Sequence, residues 1–349
     1  MPAWLTDMCL YSHPFSPTED PPRGFDFQGT GVSLRSKLPL FSHPQLVPYY
    51  VRVGPFAREA DNAENALVAS RFPTPGQSAP ALLIQGEKAV GRKSFAEYLA
   101  YLVKTKWCEH HPNQTPDCQW LDIEGENIGV LMYMIKLLMK DHATNYNIVA
   151  AHRAFSLMAD DGGVNEPNET VLRNLFGRLA QPMQSAPPLI LIIHEITYLR
   201  RDWVSRLTAR LTAMNVIPIF ITDQPLVYAS SNVPGSGVAA LKIQPMTSVE
   251  GTSFIENRMR TFRAQACTHH HTPDVFPFDP NTIATAFSKK STLGVRLLVE
   301  VMSRAFDALI RELDQKLQSN AAYTPGPQDI LVRWRHVDEG YRKSLAPNV

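Results

Sequence analysis

Five short aliphatic runs punctuate the middle of this chain, and between them apolar residues recur every three or four positions. The runs are ALLIQG, CQWLDIEG, APPLILIIHE, VIPIFITD and AALKIQPM. Each is short, and APPLILIIHE carries five consecutive aliphatics from Leu189 to Ile193. Unbroken apolar runs of this length suit strands buried on both faces. The segments between them read as helices: FAREADNAENALVASRF, GRKSFAEYLAYLVKTKW, IGVLMYMIKLLMK, VLRNLFGRLAQPM and ITYLRRDWVSRLTARLTAMN. In the second of these, Phe95, Leu99, Leu102 and Val103 fall on one helical face. Strands alternating with helices predict an α/β fold with a parallel sheet covered by helices on both faces.

The flanks differ. Residues 1–46 have no sustained period, and PFSPTEDPPRGF puts four prolines in twelve residues, which excludes helix and central strand. This segment reads as an extended arm, with Phe15, Phe25, Phe27 and Phe41 suited to packing on its own domain. Residues 47–245 hold the alternating pattern. After Pro245 the pattern is purely helical to about Ser319, which predicts a small helical domain over 246–319. TSVEG opens it with Ser and Glu placed as a cap would place them. Residues 320–349 follow a Pro/Gly break and read as a tail. Its cations Arg333, Arg335, Arg342 and Lys343 interleave with Trp334 and Tyr341, which suits an exposed or partner-docking segment.

Composition narrows the class. The chain has 349 residues, 44% hydrophobic and 19% charged, with a formal net charge of +1. That is enough apolar content for a sizeable core and too little charge for a global field that recruits nucleic acid or membrane. No apolar run reaches the length of a membrane span, and the first residues lack a secretory pattern. Four scattered cysteines form no disulfide framework. A cytoplasmic location is expected. CEHHPNQTPDC and CTHHH gather Cys108, His110, His111, Cys118, Cys267 and His269 to His271, but at spacings that match no zinc motif. Solvated loops are the expectation there, with no metal site. No nucleophile elbow is present.

The chemistry concentrates at residues 86–94, GEKAVGRKS, between a strand and a helix. A phosphate loop, G-x-x-x-x-G-K-[ST], turns successive backbone N–H groups into a concavity and presents a helix N-terminus to the anion. Gly86 and Gly91 have the required spacing. Arg92 stands where Lys reaches the terminal phosphates, and supplies the charge with a forked geometry. Lys93 stands where a hydroxyl ligates Mg²⁺, and Ser94 comes one place late.

The order GPFARE, glycine loop, LILIIHE, IFITD and terminal helices resembles the AAA+ and STAND branches of the P-loop NTPases, in particular the bacterial conflict-type ATPases. The resemblance covers roughly residues 48–318. It implies a P-loop NTPase-like sheet followed by a helical lid, with ATP or ADP at Gly86, Gly91, Arg92, Lys93 and Ser94. It implies Glu195 as the base that activates water, and Thr222 or Asp223 as the first sensor. The second sensor falls on Arg296, with Arg258, Arg260 and Arg263 as alternatives. His194 replaces the carboxylate that supports Mg²⁺, and no arginine occurs from Leu211 to Asn257, where a finger for a neighbouring subunit is expected. Arg200, Arg201, Arg206 and Arg210 lie earlier. These departures together imply a degenerate ATPase, hydrolysis weak or lost, regulatory or architectural in a homo- or hetero-oligomer. Two alternatives stay open: an active ATP-hydrolysing switch or motor, and a nucleic-acid-binding adaptor.

Overall fold

The computed structural model describes residues 8, 10, 47, 50, 52–73, 80–122, 187–194, 204, 208–209, 211–212, 215–223, 237–262, 276–278, 280–287, 291–326 and 328–345. The expected helices within 123–186 and most of the one between 196 and 215 lie outside these residues, as do Glu195, Arg200, Arg201, Arg206, Arg210, Arg263, Cys267 and His269 to His271. The chain divides into two compact units, one of residues 59–88 and 92–243, the other of 1–58, 89–91 and 244–349.

The first unit is built on a sheet of β1 (Ala81–Gln85), β2 (Asp117–Asp122), β3 (Leu189–His194), β4 (Val216–Thr222) and β5 (Val238–Lys242). All the pairings are parallel, in the order β2-β3-β4-β1-β5. All five expected strands are present. Every residue of β3 and β4 is buried, which is why these runs carry no polar alternation. Pro218 stands in the β4 ladder to β3, one residue before the ladder to β1 begins at Ile219.

Helix α1 (Pro55–Ala69) precedes the sheet, and α2 (Arg92–His110) follows β1. α2 lies against β1, β3 and β4. It buries Phe95, Leu99, Leu102 and Val103, the face read from the periodicity. Burial of such a face stabilises by about 1.5–3 kcal/mol per large side chain. In strand order, β1 to β2 runs toward one edge of the sheet, and β3 to β4 and β4 to β5 run toward the other. Val204, Thr208 and Leu211, helical and buried, belong to the β3–β4 connection. The carboxyl end of β1 is therefore a topological switch point, where open parallel sheets bind ligands.

The second unit holds a C-terminal helical region: α3 (Ser248–Thr261), α4 (Pro280–Ala286), α5 (Val295–Ser319) and α6 (Trp334–Leu345). α3 starts with a capping box in which Thr247 accepts from Glu250 N and the Glu250 carboxylate accepts from Thr247 N at 2.8 Å. The cap is Thr247, one residue before the expected serine.

Two expectations need correction. The region after Pro245 is not purely helical, since β6 (Met246–Thr247) and β7 (Thr292–Leu293) pair antiparallel. Residues 330–341 do not form an exposed tail. α6 packs closely on α5, with Ile330, Val332, His336, Val337 and Tyr341 buried. Its cations are engaged: Arg335 pairs with Glu312 at 2.7 Å, Arg342 with Asp338 at 2.8 Å and Lys343 with Glu339 at 2.5 Å. The described residues of the N-terminal arm include Met8 and Leu10, both fully buried, and no expectation is overturned there. The β6–β7 ladder was hidden because two residues leave no repeat to read.

Candidate functional site

β1 ends at Gln85, and its neighbours lock the start of the glycine loop. Gly86 N donates to Thr222 O at 3.3 Å, and Ile243 N donates to Gln85 O at 2.8 Å. Gln85 stands in register with Thr222 on one side and Lys242 on the other. The polar end of β4 thus lies beside the loop, with Thr222 buried and Asp223 half-buried.

The loop itself alternates in handedness. Ala89 has φ 70° and Gly91 φ 100°, while Val90 between them is not in the positive region. Such alternation points neighbouring N–H groups to one side, the arrangement of a backbone anion nest. Glu87, Lys88 and Ala89 are exposed. Among the described residues, no backbone carbonyl accepts a well-formed hydrogen bond from the N–H of Lys88, Ala89 or Gly91. Glycine is required at 91 for a second reason: a Cβ there would come within 2.9 Å of Phe56 Cζ.

The loop tip is also held from the start of α5. Arg296 N donates to Ala89 O at 3.1 Å, and a Cβ on Gly294 would stand 3.0 Å from that same oxygen. Arg296 is exposed. Arg258 instead stacks over Phe262, 5.2 Å from the ring centroid, and Arg260 is exposed. Ala89, Gly294 and Phe56 are the residues missed by sequence reasoning. The glycine before a helix was a visible signal, whereas nothing marks an alanine as left-handed.

α2 begins at Arg92, directly after Gly91. Arg92 is 6% exposed, unusual for an arginine, and its Nη1 is a buried donor without a hydrogen-bond acceptor, although the residue has another interaction. A buried arginine at a helix start, directly after a loop of alternating handedness, has the donor chemistry that suits a polyanion. Lys93 is the second helical residue and half-buried, and Ser94 is the third and exposed. The helix start is not displaced to bring Ser94 into the hydroxyl position.

His194, the last residue of β3, is 2% exposed and stands in register with Asp122 and Ile221. Trp120 meets its ring edge-on at 6.4 Å, and the Trp120 indole donates to the Glu97 carboxylate of α2. This chain ties the end of β3 to the helix of the loop. Mg²⁺ wants hard oxygen donors in an octahedron. Lys93 and His194 offer none, so the residues present at those two places do not fit the metal.

His111 stacks on Trp107 at 4.3 Å, Cys108 approaches Gln114 O at 3.9 Å, and burial pushes the Cys118 thiol well above its ordinary range, helped by Glu97 and Asp117. Among the described residues no three metal-ligating side chains converge. Also among them, no helix is long and apolar enough to cross a membrane.

The described residues define an α/β protein: a five-stranded parallel sheet with flanking helices, followed by a helical region. No family model matches the chain, and no curated protein does. Solved structures with a similar course include the Drosophila ORC bound to DNA, 14% identical with TM-score 0.41, over 95% of this chain and 71% of that one. The Aeropyrum pernix ORC2 protein in its ADPNP–ADP complexes is 11% identical with TM-score 0.43, over 86% and 69%. The Aeropyrum pernix ORC1 protein in complex with DNA is 17% identical with TM-score 0.43, over 88% and 69%. Likeness of this degree carries nothing about function.

Proposed function

We propose that the chain is a nucleotide-binding subunit of AAA+/STAND character, with hydrolysis weak or lost and a regulatory or architectural role in a homo- or hetero-oligomer. The observation that supports it most is the loop at the carboxyl end of β1, with φ alternating at Ala89 and Gly91 and Arg92 buried at the start of α2. ATP or ADP is the ligand of this reading. The backbone of residues 88–91 and the Arg92 guanidinium hold the phosphates, Thr222 lies beside the loop, and Arg296 approaches it through its own backbone. Glu195 is the residue proposed to act on water, with little effect when the groups that manage the metal are replaced.

Calorimetric titration of ATP and ADP tests the reading. Micromolar binding, lost in Arg92→Ala, is the expected result. Steady-state hydrolysis is expected below about 0.1 s⁻¹, two decades under a median enzyme. Turnover well above that rate, abolished in Glu195→Gln, would establish an active switch or motor instead. Sizing chromatography at rising concentration tests assembly, and a monomer at every concentration with and without nucleotide removes the oligomer from the proposal.

A further inference from the structure

We infer that this loop takes its nucleotide free of magnesium, with the Lys93 ammonium supplying the charge that a divalent ion supplies elsewhere. The inference rests on the nucleotide reading above. Its basis is the chemistry of three positions, two at the start of α2 and one at the end of β3. A metal-dependent loop puts a hydroxyl directly after its phosphate-binding cation and a carboxylate at the end of a neighbouring strand. Here the first place holds Lys93, half-buried as the second residue of α2. The residue able to supply a hydroxyl, Ser94, lies one step further along a helix that starts at Arg92, and is exposed. The strand-end place holds His194, 2% exposed and fixed against Trp120.

Each change removes an oxygen donor, and the Lys93 change also adds a positive charge. Mg²⁺ keeps an octahedral oxygen shell and sheds water reluctantly, and an ammonium and an imidazole do not supply the oxygens that would complete it. The nucleotide's own charge still needs an answer. Arg92 and Lys93 follow one another at the N-terminus of α2, where the helix dipole adds to both. Two successive cations and a nest of N–H groups meet a triphosphate or diphosphate without a metal. A carboxylate does remain near the loop, Asp223 after β4, half-buried. It is the residue on which a concealed metal site would depend.

Free ATP and its magnesium complex then compete in the direction opposite to an ordinary NTPase. Excess Mg²⁺ withdraws the species the loop prefers, so apparent affinity stays level or falls. A nucleotide held in this way, with no metal to spread the charge of a departing phosphate, is retained as a structural ligand.

The test is titration of the full chain with ATP, and separately ADP, in EDTA and in excess Mg²⁺. Binding in EDTA at least as tight as in Mg²⁺ is expected. Binding that requires Mg²⁺, or that Mg²⁺ strengthens by about tenfold or more, overturns the inference and leaves the nucleotide reading standing. Loss of that metal-dependent binding in Asp223→Asn would overturn it equally, by locating a metal site at β4. No binding in either condition overturns the nucleotide reading, and this inference with it. Lys93→Met keeps the chain length and removes the charge, and is expected to weaken binding in EDTA by about tenfold, with Lys93→Arg close to the parent. Unchanged affinity in Lys93→Met shows that Lys93 does not stand in for the ion.

Discussion

Gly91 concentrates two constraints at one position. Its φ of 100° belongs to glycine, and a Cβ would press on Phe56 Cζ at 2.9 Å. Gly91→Ala is expected to cost about 1–3 kcal/mol, read from the urea midpoint, and to weaken ATP binding as the nest is distorted. A cycle with Phe56→Ala separates the two causes. The steric part couples the two sites, and the backbone part persists in the double variant. Ala89 is the reverse case, a left-handed residue at 70° without glycine's freedom. Ala89→Gly removes a strain of about 1–2 kcal/mol and adds unfolded-state entropy of about 0.5–1 kcal/mol. Its stability is therefore expected to equal or slightly exceed the parent's.

At the scale of elements, the pairing of α5 with α6 decides how the C-terminal residues behave. Gly340 lets the helices meet, since a Cβ there would come within 2.6 Å of Val301 O, a backbone atom that cannot turn aside. Gly340→Ala is expected to destabilise by about 1–3 kcal/mol through forced separation. His336 is buried between the helices. Its Nδ1 accepts from Arg333 N at 3.0 Å, and its Nε2 lies 3.0 Å from a Glu312 carboxylate oxygen and 3.4 Å from Arg335 Nε. Burial pushes the imidazole below its ordinary range, opposed by the Glu312 hydrogen bond and the charges of Glu312 and Glu339, and assisted by Arg335. Burial alone would raise the Glu312 carboxyl, but hydrogen bonds from His336 and Lys316 and the nearby Arg335 carry it below its usual value.

Both shifts act in one sense. Each group takes up a proton more readily when unfolded, so the stability they contribute is present above the unfolded values of about 6.5 and 4.3. It is lost as pH falls through the depressed folded values. Thermal midpoints are therefore expected to fall between pH 7.5 and 5, with a shallower slope in His336→Gln. An identical slope in that variant would place the pH dependence elsewhere.

At the scale of the molecule, a ligand that binds only the folded state stabilises it by about 2.7 kcal/mol at one hundred times Kd. ATP in EDTA is expected to raise the thermal midpoint of the parent and to leave Arg92→Ala unmoved. Much of the architecture that positions this site was legible in the chain. Leu189 to Ile193 and the apolar residues of VIPIFITD form central strands because a segment buried on both faces needs no polar alternation. The face of α2 was legible because a helix seated on a sheet repeats its contacts every three or four residues. α6 was not, because its buried residues begin at a turn around Ile330 and Val332 and depend on a glycine whose purpose shows only when α5 is in place.

The same division holds within the candidate site. The sequence by itself determined the glycine spacing, the cations at 92 and 93 and the histidine at 194, because these are properties of residue type and order. Tertiary structure alone decided that Ala89 turns left-handed, that Arg92 is buried, and that Thr222 stands beside Gly86. It also decided that the start of α5 holds the loop tip through Ala89 O. Each of those depends on where distant segments meet. Backbone handedness, burial and register are consequences of packing, and no local pattern of side chains encodes them.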